Sequence, residues 1–228
     1  MIQITRIEKP AVLEENAETW LGAYHNALSA FQAGLPNPSE SLKRNKNQAE
    51  NRYNHPTIKD ALVLMFSGKC AFCESQIRHI DYGSIEHFKP KLKFPDLCFS
   101  WENFLLSCNV CNDAGHKGIN FPEEDQNGPF VNPVDEDPND FFNFEFDKNT
   151  GTANVIPTDK RGAVTEKIIG LNRPELVKYR SSIVRKMVLI AIKARDGDID
   201  CKDEIHRCCL KESEYAAFAR ALVKHFRL

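Results

Sequence analysis

The sequence lacks a long uninterrupted apolar segment. A helix that spans a membrane needs roughly 18 or more apolar residues in a row, and no part of this 228-residue chain approaches that length. The first residues, Met-Ile-Gln-Ile-Thr-Arg, also lack the apolar run of a secretory signal. We therefore predict a cytoplasmic protein that does not act on a membrane.

The chain also lacks a surplus of positive charge. Its formal net charge is −2, whereas a protein that holds nucleic acid unaided usually has excess Lys and Arg to neutralise phosphates. Any basic surface must therefore be local, or a partner must supply it. Two stretches are locally basic, one with Lys43, Arg44, Lys46 and Arg52 and the other with Lys89, Lys91 and Lys93.

Hydrophobic periodicity predicts a mainly helical protein with one hairpin. A polar, basic loop is predicted over 39–54, and alternating phenylalanines followed by a turn at 148–151 predict a hairpin over 142–156. Helices are predicted over 11–33, from a cap at Thr57 to near Gly68, over 164–170, from Pro174 to near Gly197, and from about Ser213 onward.

These elements predict an α+β protein with three parts. Residues 1–68 form a helical segment, and residues 69–121 form a cysteine-rich module. Residues 122–228 supply the hairpin and further helices, which we expect to pack on the rest as one domain.

Two Cys-x-x-Cys knuckles carry the most specific signal in the chain. They are Cys70-Ala-Phe-Cys73 and Cys108-Asn-Val-Cys111, separated by 34 residues. Thiols stay reduced in the cytoplasm, and this paired spacing is typical of four thiolates around one zinc ion. A closed set of four sulfur ligands leaves no open coordination position, so we predict a structural zinc. The separation exceeds the roughly 15–20 residues of a simple zinc ribbon, so the intervening chain must hold another feature.

The residues beside the knuckles resemble the HNH endonuclease superfamily, in its variant with a four-cysteine zinc brace. Ser84-Ile85-Glu86-His87-Phe88-Lys89-Pro90 lies between the knuckles, Trp101-Glu102-Asn103-Phe104-Leu105-Leu106-Ser107 precedes the second, and Asn112 follows it. An acidic-His pair, a central Asn and a polar residue after the last cysteine are the pattern of that family. The resemblance implies an embedded ββα-metal module that hydrolyses phosphodiester bonds.

The resemblance also assigns roles to the residues of the motif. His87 would be the general base that deprotonates water, which suits imidazole chemistry. Glu86 would bind Mg²⁺ or Mn²⁺, which prefer oxygen donors, and Asn103 would hold the loop or orient His87. Lys89 and Lys91 would contact substrate phosphates. Since neighbouring residues on a strand point to opposite faces, Glu86 and His87 can act together only if the strand end bends or Glu86 reaches around.

The last part of the motif leaves the second metal ligand open. Asn112 would bind the catalytic Mg²⁺ or Mn²⁺ through its side-chain oxygen, where many members of the family have His. The basic residue after that position usually comes three residues later, but Lys117 comes five later. His116 or Asp113 could therefore bind the metal in place of Asn112 or beside it. Lys117 would still contact phosphate.

The layout of the whole chain resembles a narrower family, the PtuB nucleases of the Septu anti-phage systems, which also occur as retron effectors. That resemblance implies an ATPase partner of the ABC/SMC type, PtuA-like, and in retron versions a reverse transcriptase with its msDNA. Nucleic acid would be the substrate, with DNA favoured over RNA. The alternative is a zinc-stabilised nucleic-acid-binding or adaptor module that has no catalytic activity.

Overall fold

The computed structural model describes residues 1–79 and 81–228. Within these ranges lie seven α-helices: α1 (Ala11–Ala33), α2 (Glu40–Glu50), α3 (Pro56–Met65), α4 (Lys160–Ile169), α5 (Pro174–Arg195), α6 (Ile199–Cys208) and α7 (Ala216–Phe226). Four strands pair in two separate antiparallel sheets: β1 (Ser84–His87) with β2 (Phe104–Ser107), and β3 (Phe142–Asp147) with β4 (Thr152–Pro157). The protein is thus a mixture of small sheets and helices, with about half of the chain helical.

The predicted first helix is confirmed, but the predicted loop at 39–54 is wrong because most of it is α2. The Ser39 side chain caps this helix by accepting a hydrogen bond from the Leu42 amide at 3.3 Å. Two ion pairs between side chains one turn apart also stabilise the helix: Lys43 with Glu40, and Lys46 with Glu50. The helix therefore forms without the apolar periodicity on which the sequence prediction depended.

The third helix leads directly to the first knuckle. It begins at Pro56, and its cap is His55, whose Nδ1 accepts from the Thr57 amide at 3.3 Å, so Thr57 is not the cap. After the helix, Gly68 has a φ of +71°, and a Cβ there would lie 2.8 Å from the Gln76 side-chain oxygen. This glycine allows the tight reversal that brings the chain into the first Cys-x-x-Cys turn.

The cysteine-rich module contains two of the three elements that were predicted for it. Strands β1 and β2 pair in register, with Ser84 opposite Ser107 and His87 opposite Phe104. The predicted helix after the second knuckle is missing from the described residues, and the chain from Asn109 to Ile119 runs through successive turns and bends. Turn hydrogen bonds, such as those from the Asn112 and Lys117 amides to Cys108 and Cys111 oxygens, satisfy this backbone instead.

The C-terminal part matches the predicted hairpin and adds one unpredicted helix. Strands β3 and β4 pair along their whole length, and the buried Arg180 of α5 donates to the carbonyls of Ala153 and Leu171. The extra helix is α6, which Asp198 caps through the Cys201 amide at 2.9 Å.

Buried apolar residues from all three sequence segments form one continuous core. The boundaries at 68/69 and 121/122 stay predictions. Among the described residues, no helix combines the length and the apolar character that crossing a bilayer requires.

Candidate metal centre and active site

The four knuckle cysteines converge on one point. Their sulfur atoms all lie within 4.8 Å of one another, and the Cys73 and Cys108 sulfurs are 3.9 Å apart. Four sulfurs at about 2.3 Å from a tetrahedral zinc ion are separated by about 3.8 Å, so the cluster fits that ion. Within the described part of the chain, this is the one group of three or more His, Cys, Asp or Glu side chains close enough to share an ion.

Local backbone hydrogen bonds shape the first knuckle and fasten it to the strands. The Cys70 amide donates to the Ser75 oxygen at 3.0 Å, and the Glu74 amide donates to the Cys70 oxygen at 3.0 Å. The Ala71 amide donates to the Leu106 oxygen at 2.8 Å, which joins the turn to β2. Since the second knuckle follows β2 directly, the strand fixes the distance between the two pairs of thiols.

Residues of the C-terminal part surround the cluster. Arg173, just before α5, donates to the Cys111 sulfur at 3.6 Å. The Tyr215 and Ser75 hydroxyls are 2.8 Å apart, and the Gln76 amide donates to the Glu214 carboxylate at 2.9 Å. No motif in the sequence marks these residues, because the contacts join positions that are far apart in the chain.

The Arg173 contact leads to a first prediction. Replacing Arg173 with alanine removes a positive charge and a hydrogen bond from the thiolate cluster, and losses of this kind commonly reduce metal affinity about tenfold. We expect Arg173→Ala to release zinc to a competing chromogenic chelator at correspondingly lower chelator concentration. Arg185→Ala, on the exposed side of α5, is the matched control, and equal zinc retention in the two variants would contradict the prediction.

His87 lies at the end of β1 in an aromatic environment. Its Nε2 is 2.9 Å from the Cys98 carbonyl oxygen, and its ring meets the edges or faces of Tyr53 and Phe104 at centroid distances of 4.6 and 5.0 Å. Only 5% of the residue is exposed, and burial lowers the pKa of the imidazole to about 4. His87 is therefore neutral near pH 7. A carbonyl can only accept, so Nε2 carries the ring proton and Nδ1 has the free lone pair.

Glu86 points away from His87, as strand alternation requires. Its carboxylate contacts the ammonium of Lys117, which also donates to the His87 carbonyl at 2.9 Å and to the Gly118 carbonyl at 3.3 Å. Burial raises the pKa of Glu86 and lowers that of Lys117, and the contact between them offsets part of each shift. The strand end does not bend to bring the Glu86 and His87 side chains together.

Lys117 is enclosed in this structure, and its predicted contact with phosphate stays a prediction. The residue has no exposed surface, because its ammonium is enclosed between Glu86 and the backbone at the end of β1. Of the other predicted phosphate contacts, Lys89 is exposed. Lys91 is partly buried, and its ammonium lies 3.3 Å from the Glu50 carboxylate and 3.4 Å from the Tyr53 hydroxyl.

Asn103 closes the loop between the two strands. Its side-chain oxygen accepts from the Lys89 amide at 2.7 Å, and its side-chain nitrogen donates to the Lys89 carbonyl at 2.9 Å and the Leu97 carbonyl at 3.3 Å. Its own carbonyl accepts from the Phe88 amide at 2.9 Å. These hydrogen bonds hold the loop between the two strands, and the part of Asn103 in catalysis stays a prediction.

The second-ligand candidates lie in the turns after the second knuckle. Asn112 is half-buried, and Asp113 is exposed and accepts from the Gly115 amide at 2.8 Å. His116 is half-buried and packs against the turn at Gly170, where a Cβ would lie 2.6 Å from the imidazole. Which of Asn112, Asp113 and His116 binds a metal stays a prediction.

Comparisons with known proteins give three relatives, while no family model matches the chain. Septu protein PtuB of Bacillus mycoides (strain KBAB4) is 29% identical over 223 residues, which cover 86% of this chain and 72% of that protein. Septu protein PtuB of Bacillus thuringiensis is 29% identical over 136 residues, covering 58% of this chain and 48% of that one.

The third relative comes from a retron. It is named "Retron Vc95 putative HNH endonuclease", from Vibrio cholerae serotype O1 biovar El Tor, and is 26% identical over 148 residues, covering 58% of this chain and 66% of that one. The chain thus has homologues named Septu protein PtuB and retron Vc95 putative HNH endonuclease, and its own four knuckle cysteines converge on one point.

Proposed function

We propose that the chain is a metal-dependent HNH nuclease that hydrolyses phosphodiester bonds in nucleic acid, with DNA favoured over RNA. The observation that carries the proposal is the state of His87, which is neutral, protonated on Nε2 and held at the end of β1, whose partner strand β2 leads into the second knuckle. Among the described residues, no group hydrogen-bonds to Nδ1. This nitrogen is therefore available to accept a proton from water.

In this mechanism His87 is the general base. Nδ1 takes a proton from water as the water oxygen forms a bond to phosphorus, and the phosphorus–oxygen bond of the leaving strand end breaks. Asn103 keeps the loop closed, so that the Cys98 carbonyl stays in place to orient the ring. The side-chain oxygens of Glu86 and Asn112 are the donors that suit Mg²⁺ or Mn²⁺, and such an ion would neutralise the charge that develops on the phosphate. Because the Glu86 carboxylate contacts Lys117 and points away from His87, joint action requires Glu86 to turn toward the face of His87 when the ion and the substrate bind.

The relatives support a defence role and a partner for this activity. They are named for Septu and retron systems, so we propose an anti-phage effector that acts with a PtuA-like ATPase of the ABC/SMC type, or with a retron reverse transcriptase and its msDNA. The formal net charge of −2 agrees with this, because a nuclease without a basic surplus benefits from a partner that captures the target.

The burial of His87 against Tyr53 and Phe104 also favours a second candidate function. A zinc-stabilised nucleic-acid-binding or adaptor module without catalysis would have its histidine packed in this way for structural reasons. The two functions differ in whether the imidazole performs chemistry.

Replacing His87 tests this difference. With Mg²⁺ or Mn²⁺ and the partner ATPase present, we expect His87→Ala to lower the rate of nucleic-acid cleavage about a hundredfold to ten-thousandfold, the usual contribution of a general base. Zinc content should not change, because His87 is outside the cysteine cluster. His206→Ala, an exposed position on α6, is the control. Cleavage by His87→Ala at the rate of the parent protein would show that His87 is not the general base. Absence of cleavage by the parent protein itself, with its partner and either metal ion, would favour the binding module.

A further inference from the structure

One segment of the chain packs against His87 through its last residue. It comprises α2 and the turn that follows it, Glu40–Tyr53, and we call it the cover. The Tyr53 ring meets the His87 ring nearly perpendicularly at a centroid distance of 4.6 Å. Tyr53 itself is half-buried while His87 is 5% exposed. The inner side of the tyrosine therefore contacts the imidazole, and its outer side faces the water from which a substrate would arrive.

Polar contacts hold the cover on the loop after β1. The Lys91 ammonium lies 3.3 Å from the Glu50 carboxylate, 3.4 Å from the Tyr53 hydroxyl and 4.9 Å from the centre of the Tyr53 ring. Lys91 thus connects the carboxylate at the end of α2 with the aromatic ring above His87. It is a polar link between the cover and the loop that follows the strand carrying the proposed base.

The apolar attachment of the cover comes mainly from Tyr53, which packs on His87 and Phe104, and α2 itself adds little. Ala49 is the one buried residue of α2, and the helix packs mainly against α1. Segments with few buried apolar contacts and partly exposed polar links open at low free-energy cost. Separating the cover from His87 would therefore break the Tyr53 and Lys91 contacts and leave most of the core intact.

We propose that Glu40–Tyr53 is a movable cover that keeps a nucleic-acid strand away from His87 until it is displaced. Tyr53 blocks the imidazole, and the Glu50–Lys91 ion pair is the latch. This inference rests on the proposed function, since a cover matters only if His87 meets a substrate. The cover also presents exposed cations to solvent at Lys43, Arg44 and Arg52. An arriving phosphate backbone would therefore be attracted to the element that has to move.

The rate of chemical modification of His87 reports how accessible its ring is, and this measurement needs no cleavage assay. Diethyl pyrocarbonate acylates neutral, accessible imidazoles, and mass spectrometry of peptides reports each of the seven histidines. In the folded parent, His87 should react far more slowly than the exposed His206 and His225. Tyr53→Ala should raise the rate at His87 at least about tenfold, since it removes the blocking ring. Glu50→Gln should raise it about fivefold, the effect of losing a partly exposed ion pair.

A matched control lies on the same helix. Glu40→Gln breaks the Lys43–Glu40 pair, which contacts only α2, and should leave the rate at His87 unchanged. In the cleavage assay with the partner, Tyr53→Ala and Glu50→Gln should cut faster than the parent. Two results would overturn the proposal: a parent His87 as reactive as His206, or an unchanged His87 rate in both folded variants. Faster modification of His87 in the variants, with no nucleic-acid cleavage by the parent or by any variant, would instead contradict the nuclease function and still support the cover.

Discussion

Replacing Cys70 or Cys111 with serine is expected to abolish zinc binding and to unfold the cysteine-rich module. Zinc sites in small modules contribute about 10–16 kcal/mol of binding free energy that is also folding free energy. A whole domain is stable by only about 5–15 kcal/mol, so even part of that contribution decides whether the chain folds. Both thiols are buried, and Arg173 and the Tyr215–Ser75 pair join their surroundings to the C-terminal helices. The loss of stability on zinc removal should therefore extend beyond the cysteine-rich module to the C-terminal helices.

Two measurements check this expectation. Atomic absorption should show about one zinc per parent chain and none in Cys70→Ser or Cys111→Ser, and thermal denaturation should show a transition lost or shifted far downward. Cys201→Ser is the control, because Cys201 lies on α6 outside the cluster and should retain both zinc and stability. Stoichiometric zinc in a well-folded Cys111→Ser would show that the Cys111 thiolate is not required to hold the ion.

The parts of the fold that sequence reasoning predicted correctly are those specified by local pattern. The spacing of Cys70, Cys73, Cys108 and Cys111 requires only that two turns face each other, and the structure brings them together. The hairpin of β3 and β4 follows from alternating phenylalanines and a four-residue turn. In the hairpin, neighbouring residues carry the whole signal. In the cysteine cluster, the two turns are 34 residues apart, and the need of one zinc ion for four thiolates predicts that they meet.

The parts that sequence reasoning missed depend on contacts between distant segments or on polar interactions. Helix α2 forms through a Ser39 cap and side-chain pairs, which produce no apolar period. Tyr53 could not be linked to His87, 34 positions away, because the tertiary fold creates that contact. The missing helix after the second knuckle has a local cause that the family resemblance concealed. Gly115 and Gly118 fall in that stretch, and glycine within a helix costs up to about 1 kcal/mol relative to alanine.

Lys117 is the clearest example of a residue whose burial changes the role inferred from sequence. From sequence, a lysine near a nuclease motif indicates a phosphate contact. In the structure its ammonium contacts the Glu86 carboxylate, and both side chains are almost fully enclosed, at 0% and 5% exposure. Removing one partner of a buried ion pair leaves the other charge without compensation and typically costs about 3–5 kcal/mol. We therefore expect Lys117→Met to lower the free energy of unfolding by about that amount.

Chemical denaturation of four variants tests the Lys117 prediction. Lys89→Met changes an exposed lysine of the neighbouring loop and should alter stability by less than about 0.5 kcal/mol. The double variant Glu86→Gln/Lys117→Met removes both charges, so it should recover much of the stability lost in Lys117→Met. The single variant Glu86→Gln completes the double-mutant cycle, which gives the interaction energy of the pair. Equal stability of Lys117→Met and Lys89→Met, or no recovery in the double variant, would contradict the pairing.

The same experiment bears on the proposed metal site, because Glu86 is also the proposed oxygen donor for Mg²⁺ or Mn²⁺. In the parent protein a divalent cation must share this carboxylate with the Lys117 ammonium. In Lys117→Met the carboxylate has no other cation among its described contacts, so a bound ion would replace the missing charge. A ligand that binds only the folded state stabilises it by mass action. Added Mn²⁺ should therefore raise the unfolding free energy of Lys117→Met more than that of the parent. It should have no such effect on the double variant, which has no carboxylate at position 86 to receive it.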